Sequence, residues 1–244
     1  MRKRRGRIIA CLVLILALSA MAFAGLKLWE IRRSDTESRE SYKQLAAEAR
    51  PGGQPEADNC PIDFTALQAV NPDAVAWLHS PGTVIDYPVM RAKDYNQYLR
   101  HLPDGTYNSN GSLFIDFNCA PDFSDSLTVI YGHNMRSGQM FGSLAGYKEQ
   151  AYYQAHPYLT LYTEKKETRR IDLLYGCVID AKEWQERAFS YQVNLDALLD
   201  YAAYNTTFTS GMEYTPGDQI VALSTCSYEF DGARYVVVGA LRPA

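Results

Sequence analysis

Cysteine is sparse and scattered in this chain: its 244 residues hold five, Cys11, Cys60, Cys119, Cys177 and Cys226, with no close pair among them. The dense spacing of a disulfide scaffold is therefore missing, and without a CxxC there is no sign of structural zinc. Neither a cluster of metal ligands nor an EF-hand loop occurs, so no metal and no cofactor is expected. Basic residues are not in excess: 24 Lys and Arg stand against 28 Asp and Glu, for a net charge of −4. Nothing in that balance suggests nucleic acid. Histidine is scarce too, with four in all, and no internal repeat is present. With few cysteines and no close pair, at least one thiol is a candidate for chemistry.

What is abundant comes first in the chain. Residues 1–7, MRKRRGR, are almost all basic, and no charged residue follows from Ile8 through Leu26. That is about the length needed to span a bilayer. The positive-inside rule keeps the basic tip cytoplasmic and sends the rest outward. A cleaved signal peptide is the rival, since Ala20, Ala22 and Ala24 are small, but the apolar run exceeds the usual ~7–15 residues of such a segment. The expected layout is a cytoplasmic tip at 1–7, a transmembrane anchor at 8–29, a stalk and linker at 30–59, and an extracellular domain at 60–244. The stalk reads as a solvated helix broken by PGGQPEADN.

From Cys60 the texture becomes that of a β protein. Asp63 is placed to start a short helix carrying Phe64, Leu67 and Val70. AVAWLHS and VIDYPVM read as strands separated by Pro81-Gly82, with Pro88 tolerable only at an edge or bulge. GSLFIDF, LTVIYGHN, a hairpin over LTLYTEKKETRRIDLLYGCVID, DQIVALSTC and ARYVVVGAL add further strands. QMFGSLAGY and EQAYYQAHPYL read as short helices. VNLDALLDYAAYN, with Leu195, Leu198, Leu199 and Ala202 on one face, is a longer one. Seven or eight strands with few helices indicate a mainly β, barrel-like domain.

Three residues stand out chemically. Cys226 ends an apolar strand among small polar neighbours, where a structural cysteine would instead be buried among apolar side chains. A cysteine nucleophile needs a base. His79, His101 and His156 lie in turns or loops and read as locally bonded, whereas His133 ends the run LTVIYG, where a rigid strand can mount a reactive side chain. Arg234 begins the last strand and cannot act as a base, but a guanidinium can hold negative charge on a thiolate or an oxyanion. The plainer alternatives are a histidine that caps a strand and an arginine paired with Glu229 or Asp231.

Together these residues resemble the sortases, membrane-anchored cysteine transpeptidases of Gram-positive bacteria, whose motif is a TLxTC strand end followed by an arginine on the next strand. ALSTC at 222–226 departs from it only at Ala222. NPDAVAWL at 71–78, IDYPVM at 85–90, GSLFID at 111–116, VIYGHNM at 129–135 and HPYLTLY at 156–162 are similar to the class B subfamily, and the resemblance covers about residues 60 to 242. It implies an eight-stranded β-barrel with a helix before it and another between strands 6 and 7.

It also implies roles: Cys226 as nucleophile, His133 as general acid and base, Arg234 as oxyanion stabiliser, and Ser224, Thr225 and Leu99 as substrate contacts. The implied reaction cleaves a C-terminal sorting signal, NPQTN-like or NPKTG-like, after threonine. It proceeds through a thioester and transfers the surface protein to an amine of a peptidoglycan precursor, or to another subunit in a pilus. The rivals are an envelope cysteine protease or amidase that releases to water, and a non-catalytic membrane-tethered scaffold.

Overall fold

The computed structural model describes residues 2–50, 61–189 and 191–244, and for residues 2–11, 187–189 and 191–194 the backbone alone. Cys11 and Cys60 thus fall outside the described side chains. The chain divides into two units, one ending at Glu40 and the other spanning Ser41–Ala244. A long helix, α1 (Arg2–Ala49), carries the apolar run, and it is long and apolar enough to cross a membrane. Residues 30–49 of the stalk are helical, and the compact unit begins at Ser41 rather than at residue 60. The reason is that Tyr42, Leu45 and Ala49 are buried in the same clusters as barrel residues. A solvated spacer would not bury that face.

The second unit is a closed barrel of eight strands among the described residues, in the order β1-β2-β3-β4-β7-β8-β6-β5. In chain order these are β1 (Ala74–His79), β2 (Asp86–Arg91), β3 (Leu113–Ile115), β4 (Leu127–Tyr131), β5 (Tyr158–Thr163), β6 (Thr168–Asp180), β7 (Gln219–Cys226) and β8 (Ala233–Pro243). The helix before the barrel, α2 (Phe64–Val70), starts where expected, because the Asp63 side chain accepts hydrogen bonds from the Thr65 and Ala66 amides. A cap of this kind satisfies otherwise unpaired N-terminal donors. A 3-10 helix (Phe141–Lys148) and α3 (Gln150–Ala155) follow β4. Pro88 is accommodated because its strand pairs with β1 at that point while the ladder to β3 begins only at Val89.

Two helices, α4 (Ala181–Phe189) and α5 (Tyr191–Tyr204), occupy the connection between β6 and β7. The second is the helix expected from VNLDALLDYAAYN; the first has no counterpart in the sequence expectation. Strand alternation separates the environments of the two faces. Ile130, Val221, Leu223, Tyr235 and Val237 belong to the barrel's interior core. Val129, Ala222, Val236 and Val238 face outward against Trp184 of α4 and Leu198, Leu199 and Ala202 of α5. Strands buried on both faces read as continuous apolar runs, which is why LTVIY, IVAL and VVV show little alternation.

The chain end of α1 is held to the barrel by charge. Arg50 donates to both carboxylate oxygens of Asp86, at 2.7 and 2.5 Å. Its guanidinium lies 4.8 Å over the Trp77 ring. Trp77 Nε1 donates to Asp86 at 2.7 Å, and His79 Nδ1 lies 3.2 Å away. Burial alone would raise the Asp86 carboxyl, but the hydrogen bonds from Arg50, His79 and Trp77 outweigh it and hold the group below the usual carboxylate range. A depressed carboxyl stabilises the fold above its unfolded pKa of about 3.9 and loses that contribution as pH falls through the folded value. Asp86→Asn should therefore cost about 2 kcal/mol at pH 7. It should also flatten the decline of stability below about pH 4, as read from denaturant midpoints across pH.

Candidate active site

Strand register brings together residues far apart in sequence. β4 runs parallel to β7 with Tyr131 opposite Ser224, and the pairing continues as the Gly132 amide donates to the Ser224 carbonyl at 3.2 Å. Continuing along both strands takes the chain to His133 and Cys226 at one rim. β7 is antiparallel to β8, with Cys226 directly opposite Arg234. Gly132 is required at the exit from β4: a Cβ there would lie 2.7 Å from the Phe141 ring and closer still to Leu113. Alternation gives Cys226 and Arg234 the outward face that Ala222, four residues before Cys226, and Val236, two residues after Arg234, also occupy.

At that rim Arg234 Nη1 donates to Cys226 Sγ at 2.8 Å. Arg234 is therefore aimed at the sulfur, and Glu229 takes a different cation: it pairs with Lys148, which also donates to Ser227 Oγ at 3.1 Å. His133 Nε2 lies 2.7 Å from the Leu99 carbonyl. A carbonyl can only accept, so this contact assigns the proton to Nε2 and leaves Nδ1 as the basic nitrogen. Burial pushes the His133 pKa down, the Leu99 carbonyl opposes this, and the positive charges of Arg100 and Arg234 lower it further. The imidazole is consequently neutral at pH 7.

His133, Cys226 and Arg234 all line one cleft of about 440 Å³, together with Leu99, Tyr131 and Trp184. Ser224 lines it as well, and its buried Oγ has no hydrogen-bond partner among the described residues. Leu99 has a double part: its side chain borders the cleft while its carbonyl holds the imidazole. Thr225 departs from the sequence expectation. The pleat turns it to the face opposite Ser224 and Cys226, its hydroxyl donates to the Gly132 carbonyl at 2.7 Å, and it does not line the cleft.

Several residues at the site escaped the sequence reading. Trp184 arrives on α4, whose sequence AKEWQERAF is too short and polar to signal a cleft wall. Asn134 donates from Nδ2 to the Cys226 carbonyl at 2.8 Å, tying the histidine-bearing segment to the end of β7; its place directly after His133 is the one signal that could have found it. Asp116, almost fully buried, accepts from Tyr95 at 3.0 Å. Burial first, then the Asp116 charge, raises the Tyr131 phenol, so this hydroxyl in the cleft lining stays protonated.

The remaining histidines have local partners: His79 with Asp86, His101 with the Gln97 carbonyl at 2.6 Å, and His156 with the Pro81 carbonyl at 2.9 Å. Cys119 and Cys177 are buried, and burial pushes their thiols up to about 11 and about 12. Among the described residues no group of side chains could hold a metal ion.

No protein-family model matches the chain. The crystal structure of Clostridium perfringens sortase B is similar at 31% identity and a TM-score of 0.68, over 73% of this chain and 99% of that one. Staphylococcus aureus sortase B aligns at 26% identity and a TM-score of 0.76, covering 86% of this chain and 90% of the other. By sequence, the Listeria monocytogenes protein named Sortase B is 29% identical over 224 residues, 89% of this chain and 88% of its own length. With a closed eight-stranded barrel, helices in the β6–β7 connection and relatives spanning most of its length, the chain belongs to the class B sortases, and its activity is that of a cell-wall transpeptidase.

Proposed function

We propose that this sortase cleaves a C-terminal sorting signal of the NPQTN or NPKTG type after threonine and transfers the surface protein to an amine of a peptidoglycan precursor. The observation that carries the reading is the Arg234 guanidinium donating to Cys226 Sγ in a cleft shared with His133. The Cys226 proton passes to neutral His133 as the sulfur attacks the threonine carbonyl, and the S–C bond forms while Arg234 holds the oxyanion. Imidazolium then gives its proton to the departing amine as the C–N bond breaks, leaving a thioester.

In the second half, an incoming amine loses its proton to His133 and attacks the thioester. The C–S bond breaks and the thiolate recovers that proton. Ser224, with a free hydroxyl in the cleft, and the side chain of Leu99 contact the signal peptide. The long apolar helix α1 is compatible with a membrane anchor, with the basic tip cytoplasmic and the barrel outside. A catalyst tethered there meets both reactants at the outer face of the membrane.

The test is product analysis of the full chain with a sorting-signal peptide and an added amine, either a glycine peptide or diaminopimelate. Mass spectrometry should find the peptide's acyl part on Cys226, and added amine should divert product from hydrolysis to the amide. Hydrolysis at an unchanged rate with every amine tried would identify a protease that releases to water. No acyl-enzyme and no turnover with any signal peptide would favour a scaffold.

A further inference from the structure

Nε2 of His133 is held by a main-chain carbonyl, and what holds that carbonyl is unusual. Leu99 lies in the long connection between β2 and β3, outside any strand or helix. Gly111 packs directly on the main chain of Tyr98 and Leu99: a Cβ at this position would stand 2.5 Å from the Leu99 oxygen and 2.6 Å from that of Tyr98. Its φ is +58°, a conformation that side chains disfavour. The next residue ties the peptide just before the Leu99 carbonyl, as the Ser112 amide donates to the Tyr98 carbonyl at 2.9 Å.

Gly111 is in turn gripped from α1. The Tyr42 hydroxyl donates to the Gly111 carbonyl at 2.7 Å and lies 3.1 Å from Ser112 Oγ, while Ser112 Oγ donates to the His101 carbonyl at 2.8 Å. Tyr42 is buried, its ring set edge-on to Tyr87 at 5.0 Å. A hydroxyl sealed in this way has no water to exchange with, so its bond to Gly111 is a fixed link.

We propose that Tyr42 and Gly111 are positioning residues for His133, forming a latch through which the last turns of α1 set the Leu99 carbonyl and hence the tautomer and orientation of the imidazole. The proposal rests on the role assigned to His133 above. It makes residues 41–49 of α1 part of the active-site support. Placing the acceptor atom on the main chain explains why glycine stands opposite it: only a residue without Cβ lets the two backbones approach that closely.

The test uses the full chain with histidine labelled by ¹⁵N, and compares Tyr42→Phe, Gly111→Ala and, as a control, Asp86→Asn. The control loosens the same helix end without touching Gly111. His133 in the parent should show a protonated Nε2 and a bare Nδ1. Gly111→Ala should mix or reverse that pattern and lower kcat roughly tenfold to a hundredfold with KM nearly unchanged. Tyr42→Phe, which keeps the ring, should lower kcat about fivefold, the value of one hydrogen bond.

Unchanged His133 nitrogen signals in both latch variants would overturn the proposal. So would an equal His133 change and kcat loss in Asp86→Asn, since the effect would then be general loosening. Should the parent chain fail to transpeptidate at all, the functional reading falls, while a variant-dependent His133 tautomer would still support the latch.

Discussion

Cys226→Ala is expected to leave a folded protein with no acyl-enzyme and no detectable transfer, a loss on the order of a million-fold if nucleophile and base act as a unit. No other described thiol can substitute. Cys119 and Cys177 are buried and carry thiols raised by that burial, so at neutral pH neither supplies thiolate. Their alanine variants should retain acyl-enzyme formation and lose stability instead, by about 1–2 kcal/mol for a small buried side chain. A thiol-alkylating reagent at pH 7 should accordingly label Cys226 ahead of Cys119 and Cys177. Intact peptide mass analysis reads both results, and wild-type levels of anchored protein in cells carrying Cys226→Ala would remove the enzymatic reading.

Arg234→Ala should lower kcat about 10²–10³-fold, the usual cost of removing one donor aimed at a developing oxyanion. The Arg234 donor already points at the sulfur, which places a guanidinium beside the atom that attacks the carbonyl. Arg234→Lys should recover only part of the rate, because an ammonium offers a point charge without the planar fork. The alternative, a guanidinium serving an ordinary ion pair, predicts lost stability with kcat preserved. Lys148→Ala separates the two: it breaks the pair that Glu229 makes and should disturb the β7–β8 turn without reproducing the Arg234→Ala loss. A kcat within threefold of wild type in Arg234→Ala would refute the oxyanion role.

Much of the barrel is legible in the chain because its information is local. The period-two and continuous apolar runs mark seven or eight strands, Asp63 announces α2, and the apolar face of Leu195, Leu198 and Leu199 announces α5. α4 was not legible: among residues 181–186, whose side chains are described, Trp184 alone is buried, and one buried position sets no period. The stalk misled in the same way. Tyr42, Leu45 and Ala49 make a sparse stripe that becomes a buried face only once a partner surface exists.

Thr225 shows where motif reasoning needs geometry. In ALSTC three successive polar or reactive side chains look equivalent, yet a strand sends neighbours to opposite faces, and only Ser224 and Cys226 reach the cleft. The sequence by itself determined which residues can do chemistry, a thiol, an imidazole and a guanidinium at strand ends, since residue type and strand pattern are written locally. The tertiary structure alone decided that they meet, through the parallel pairing of β4 with β7. It decided too that a main-chain carbonyl from an irregular loop holds the imidazole, because register and backbone approach depend on contacts between segments that no local pattern encodes.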